Sequence, residues 1–161
     1  MNNGSRNVNS AWHIRPMRHG PERHRRQRRR FLVAISSELT HDQQAVALKT
    51  ALRVLEEWNA THDQVCSILR ISPSSRKRIA HHPDAVLRLD TDQLQRVSLV
   101  LNIHAALRNT FDNQANVKGF PSMKNDNAFF QGRSPLEVMS KGSLITLYET
   151  YKRLDHLQWS G

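Results

Sequence analysis

The chain has 161 residues, enough for one compact domain or two very small ones and too few for a multidomain enzyme. Hydrophobic residues make up 38%, mean hydropathy is −0.63, and the apolar runs, such as residues 31–35, fall far short of the roughly 20 residues a membrane span needs. The net charge is +10, and it is unevenly placed: nine arginines against Glu22 give residues 1–30 a share of +8, leaving the body only +2.

Residues 1–30 have almost nothing to bury and cannot offset the entropy of ordering their backbone, so a disordered basic arm is expected there. A polycation of this kind is drawn to polyphosphate surfaces through counterion release, which makes nucleic acid the expected partner. The alternatives for this stretch are a solvated tail, or a reading frame whose start is Met17. A mitochondrial presequence would need an amphipathic apolar face that the arm lacks.

From there on, apolar residues recur at intervals of three and four, the period of helices, and no stretch alternates with the period of a strand. Thr40 with Gln43 is a capping-box start, followed by Ala45, Leu48, Leu52, Leu55 and Trp58 along one stripe. Thr61 with Gln64 repeats the pattern and opens a short helix through Val65, Ile68 and Leu69. Within it lies Cys66, the sole cysteine, expected as a small buried hydrophobe; a single cysteine excludes an internal disulfide and a multi-cysteine zinc site and fits a reducing cytoplasm. Ser72 as N-cap with Pro73 behind it starts a third helix, which carries Arg76, Lys77, Arg78 and Ile79 and stops before Pro83.

Asp90 with Gln93 announces a long helix over residues 91–111, with Leu94, Val97, Leu101, His104 and Leu107 predicted on one face. Residues 112–131 are rich in Asn with scattered Val117, Phe120, Met123, Phe129 and Phe130, and read as an irregular loop pinned by aromatics. Ser134, Pro135 and Glu137 supply N-cap, first-turn proline and capping glutamate together. Gly142 interrupts that short helix, and Ser143 opens a last one with Leu144, Leu147, Tyr151 and Leu154. The fold class is all-α: a disordered basic arm (1–30), a helical N-terminal domain (31–89) and a C-terminal helical domain (90–161).

Residues 61–82 have the layout of a helix-turn-helix, in which the second helix enters the major groove and its outward side chains meet base edges or phosphates. With Ile71 and Ile79 turned inward, Ser74, Ser75, Lys77 and Arg78 face outward as the candidate DNA-binding residues. Two positions depart from the usual pattern: Arg70 occupies the place of the turn glycine, and Arg76 a place that is more often apolar. A helical hairpin inside an ordinary all-α core is the structural alternative.

The string Asn125-Asp126-Asn127-Ala128-Phe129-Phe130-Gln131-Gly132-Arg133-Ser134-Pro135-Leu136-Glu137-Val138-Met139, then Gly142 and a helix ending Tyr151-Lys152-Arg153-Leu154-Asp155, resembles the toxin-binding domain of Xre/MbcA/ParS-like antitoxins. The resemblance covers about residues 90–157, and in that family a helix-turn-helix precedes it, as here. The sequence departs from the family in having Phe120 where a Trp is common and in a longer stretch over 121–131. The resemblance implies an antitoxin that neutralises a cognate toxin, often an NAD-consuming RES-domain enzyme, and represses its own operon. Independently of it, Gly132, Ser134, Pro135 and Leu136 make sense as local scaffolding.

Arg133 is either a surface charge or a toxin contact. Trp159, near the chain end, either packs on its own last helix or anchors the toxin interface, where tryptophan is favoured. An antitoxin accounts for the arm, the helix-turn-helix and the C-terminal series together; a stand-alone helix-turn-helix regulator without a toxin accounts for only the first two. An enzyme accounts for none of them, since no Gly-rich phosphate loop, carboxylate pair or nucleophile with a base is visible, and among nine histidines none forms the HExxH pattern of a metal site. The expected partners are a toxin and double-stranded operator DNA, with neither cofactor, metal nor membrane. Paired half-sites make a homodimer the expected state, formed through the helix at 91–111 or the one at 40–58.

Overall fold

The computed structural model describes residues 39–82, 85 and 87–157; the arm and Trp159 lie outside the described residues. Among these, seven α-helices and one 3-10 turn account for the regular structure, with no strands: α1 (His41–Glu57), α2 (His62–Leu69), α3 (Pro73–His81), α4 (Thr91–Thr110), α5 (Gln114–Gly119), a 3-10 turn (Phe120–Ser122), α6 (Pro135–Met139) and α7 (Leu144–Leu157). The all-α reading holds.

Four helices begin where their sequences say they should. Thr40, Thr61, Asp90 and Ser134 each accept a hydrogen bond from the backbone N–H three residues on, and the Gln or Glu there accepts one from the cap's own N–H. This reciprocal arrangement satisfies donors that a helix start leaves orphaned, an effect of about 1 kcal/mol per cap. Glu137 is one of these partners: the Ser134 backbone N–H, 2.6 Å from its carboxylate, followed by the Ser134 side chain, holds its pKa below the ordinary value.

The expected one-faced helix at 91–111 is corrected by the structure. α4 is buried almost all round: Leu94, Val97, Leu99, Val100, Ile103 and Leu107 are joined in the interior by Arg96, Ser98 and Thr110, while Leu101 and His104 are only half-buried. A helix with most of its residues buried belongs at the centre of a core, and α4 packs against both α1 and α7. The buried apolar cluster accordingly runs from Leu48, Trp58 and Ile68 to Leu136, Leu147 and Leu154.

The stretch 112–131 also differs from the irregular loop expected. Asn113 caps α5 through its side chain, and the 3-10 turn follows directly. Val117, Phe120 and Phe130 are the buried pins, with Phe111 and Phe120 ring centroids 5.3 Å apart; Met123 is exposed and Phe129 half-buried. Cys66 is half-buried rather than buried, and desolvation raises its thiol pKa against the lowering effect of Arg76, which keeps it a neutral thiol.

Candidate nucleic-acid interface and partner-binding segment

The sharp turn between α2 and α3 is built from three residues. Arg70 adopts the left-handed conformation (φ 52°, ψ 42°), which costs a residue with a side chain about 1 kcal/mol and which glycine adopts freely. Ile71 drops into the core at 4% exposure, its N–H donating to the Cys66 carbonyl, and Ser72 caps α3 by accepting from the Ser75 N–H at 3.0 Å. Ile79, 7% exposed, buries the inner side of α3.

The missing turn glycine is compensated from α4. Arg70 Nη1 donates to Asp92 Oδ2 at 3.0 Å, and Gln93 Nε2 donates to the Arg70 carbonyl at 2.8 Å. Asp92 Oδ2 also accepts from Arg96 Nε at 2.7 Å, and Arg96 Nη1 reaches the Ile68 carbonyl at 3.2 Å. Arg96 is buried at 4% side-chain exposure, so this clamp is its only counter-charge within reach among the described residues. The Arg96 hydrogen bond, opposed by partial burial and reinforced by the charges of Arg96 and Arg70, holds the Asp92 carboxyl below its ordinary range.

Arg76, the second departure, is half-buried and tied down. Its Nη1 lies 2.7 Å from His62 Nδ1 and its Nη2 3.6 Å from Glu56 Oε1, so the polar side chain bridges α1, α2 and α3 where an apolar one would pack.

Of the sequence-predicted DNA residues, Ser74, Lys77 and Arg78 are exposed on α3. Ser75 is half-buried on the inward flank, its Oγ accepting from Ser72 Oγ at 2.9 Å. Sequence reading missed His62, Arg76 and His81, which crowd the same surface; the signal available was the density of basic and imidazole groups flanking the turn.

The C-terminal series forms a pinched loop leading into α6. The Asn125 N–H donates to the Arg133 carbonyl at 3.2 Å and the Gly132 N–H returns to the Asn125 carbonyl at 3.0 Å. Asn125 and Asn127 each accept a backbone N–H two residues on, and Gly132 sits at φ 76°. Arg133 is half-buried and holds the loop through Nε to the Phe130 carbonyl, 3.1 Å, and Nη2 to Gln131 Oε1, 3.3 Å. Ser134, Pro135, Leu136, Val138 and Met139 are buried, and Arg153 of α7 stacks over the Phe129 ring at 5.2 Å.

Two short helices around a tight turn, with the second helix basic and outward, define a helix-turn-helix domain of the DNA-binding class. The family model described as the antitoxin Xre-like helix-turn-helix domain matches residues 37–102, which takes in α1 to α3 and the first half of α4. Residues 37–102 are therefore similar to the helix-turn-helix domain of Xre-like antitoxins. No curated protein and no solved structure matches the chain. No helix among the described residues is long and apolar enough to cross a membrane.

Proposed function

We propose that the protein is the antitoxin of a type II toxin-antitoxin system, acting in the cytoplasm: it binds and neutralises a co-encoded toxin and represses its own operon by binding DNA. The observation that carries the reading is the helix-turn-helix whose turn is clamped to α4 and whose span matches an antitoxin family model. Its outward side chains Ser74, Lys77 and Arg78, with Ser75 at the flank, serve as the DNA-binding set, and the arginine-rich arm adds affinity that does not depend on sequence.

The pinched loop and α6–α7 belong to the toxin-binding half in this reading, with Arg133 and Trp159 as contacts. The division near residue 90 is then one of function, since the core itself is shared across it. The resemblance of residues 90–157 to antitoxin toxin-binding domains supports a RES-type, NAD-consuming partner. A homodimer on paired half-sites would use α1, where Val46 is 64% exposed, because α4 keeps its apolar surface inside the protomer. The test is binding of the full-length protein to its own upstream region against a shuffled duplex of equal length. Equal affinity for the two would end the operator reading.

A further inference from the structure

A groove of about 400 Å³ runs between α1 and α3. α1 lines it with Lys49, Leu52, Arg53 and Glu56, and α3 with Arg76, Ile79 and Ala80, each set at helical spacing along one side of its helix. Leu52 and Ile79 are buried and form an apolar floor. The rim sets three cations against one carboxylate, and that carboxylate, Glu56, is already held by Arg76 at 3.6 Å. Ser74 and Arg78 each lie two positions from Arg76, which places them across α3 from it. An occupant of the groove therefore leaves both of them to DNA.

α1 itself carries the complement. Asp42, Val46, Lys49 and Arg53 recur at intervals of four, three and four, so they form one stripe, on which Asp42, Val46 and Arg53 are exposed. The stripe is acidic at its start and basic further on, and Glu57 beyond it is paired with Lys118 at 3.6 Å. Asp42 and Arg53 stand roughly 16 Å apart along the helix, too far to meet within one copy. A second α1 running antiparallel reverses the order and brings each Asp42 to the other copy's Arg53.

We infer that the groove is occupied by the first half of α1 from a second copy of this chain, held about a two-fold axis by reciprocal Asp42–Arg53 pairs with Val46 packed at the centre. The inference rests on the homodimer reading and gives it a seat and a register. A two-fold interface uses the same patch on both copies, so each α1 supplies one acidic and one basic partner. In this register Val46 meets the aliphatic stem of Lys49 from the other copy, whose charge stays in water. The apolar floor suits side chains of this kind and offers nothing to a phosphodiester.

Sedimentation velocity of the full-length protein over a concentration series reads the pairing. Wild type is expected to dimerise, more weakly as salt rises. Arg53→Asp and Asp42→Arg should each weaken the dimer about tenfold, because the axis changes two contacts at once and sets like charges together. Both changes in one chain restore opposite charges across the axis and should return association to within about threefold of wild type. A purely structural role for either residue would show no such recovery. Val46→Lys, an exposed change, should weaken the dimer about thirtyfold with a helical melt matching wild type. A wild type that stays monomeric, or a double variant no better than the single ones, would overturn the inference. Binding to the upstream and shuffled duplexes reads the operator separately. A monomer that still prefers the upstream duplex overturns the pairing alone, and a dimer with no preference keeps the pairing while the operator reading falls.

Discussion

Removing Asp92 should destabilise the protein more than removing Arg96, although the two are partners in one ion pair. Asp92→Ala leaves Arg96, 4% exposed, with its charge uncompensated and only the Ile68 carbonyl to bond. Breaking a fully buried pair in this way costs about 3–5 kcal/mol; because Asp92 is itself 29% exposed, the expected loss is about 2–3 kcal/mol, including the lost acidic group in the first turn of α4. Arg96→Met leaves the aspartate near the surface and still paired with Arg70, so its cost is about 1 kcal/mol for the bond lost by the Ile68 carbonyl. Urea unfolding reads both as shifts in midpoint at constant m. The pH dependence has a definite sign. The folded-state pKa of Asp92 is depressed, so its contribution is complete above the ordinary value of 3.8 and is lost as pH falls through the lower folded value. Asp92→Ala should therefore flatten the acid side of the stability profile. An Arg96→Met protein less stable than Asp92→Ala would refute the reasoning and place the worth of Arg96 in its packing.

Arg78→Ala should narrow the ratio of affinities for upstream and shuffled duplexes, and an unchanged ratio would remove Arg78 from base reading. Deleting residues 1–30 should leave helical circular dichroism and melting cooperativity intact while flattening the salt dependence of DNA binding; a large loss of helicity would show that the arm is structural. Gly132→Ala should cost about 1 kcal/mol from φ 76° alone, because the nearest atom to a new Cβ is Asp126 Oδ1 at an ordinary 3.9 Å. Leu136→Asp buries a carboxylate at a site 2% exposed and should abolish cooperative folding, read as loss of a melting transition.

The features legible in the sequence are the local ones. Capping boxes at Thr40, Thr61, Asp90 and Ser134 fall within four residues of chain, so residue identity alone places these helix starts, and the burial of Ile71 and Ile79 follows from their being the apolar residues of a polar turn and helix. What escaped depends on partners distant in sequence. The extensive burial of α4 exists because both α1 and α7 pack against it. Arg70 and Arg76 look like damage to a helix-turn-helix until Asp92 and Gln93 from α4, and Glu56 and His62 from the preceding helices, are brought to them. α5 was missed for a related reason: six residues are too few to be helical alone, and burial of Val117 and the adjoining Phe120 holds them. At the interface, composition pointed to α3, but the grouping of His62 and His81 with Lys77 emerges only when α2 and α3 are folded together.

Neutralisation of a toxin is tested most directly by co-expression with the product of the adjacent gene. Full-length protein should restore growth and co-purify with that product, and removal of residues 158–161, which takes Trp159 away, should weaken rescue by roughly thirtyfold in affinity, the scale of an interface anchor. A full-length protein that neither restores growth nor co-purifies would contradict the antitoxin account and leave a helix-turn-helix regulator in its place.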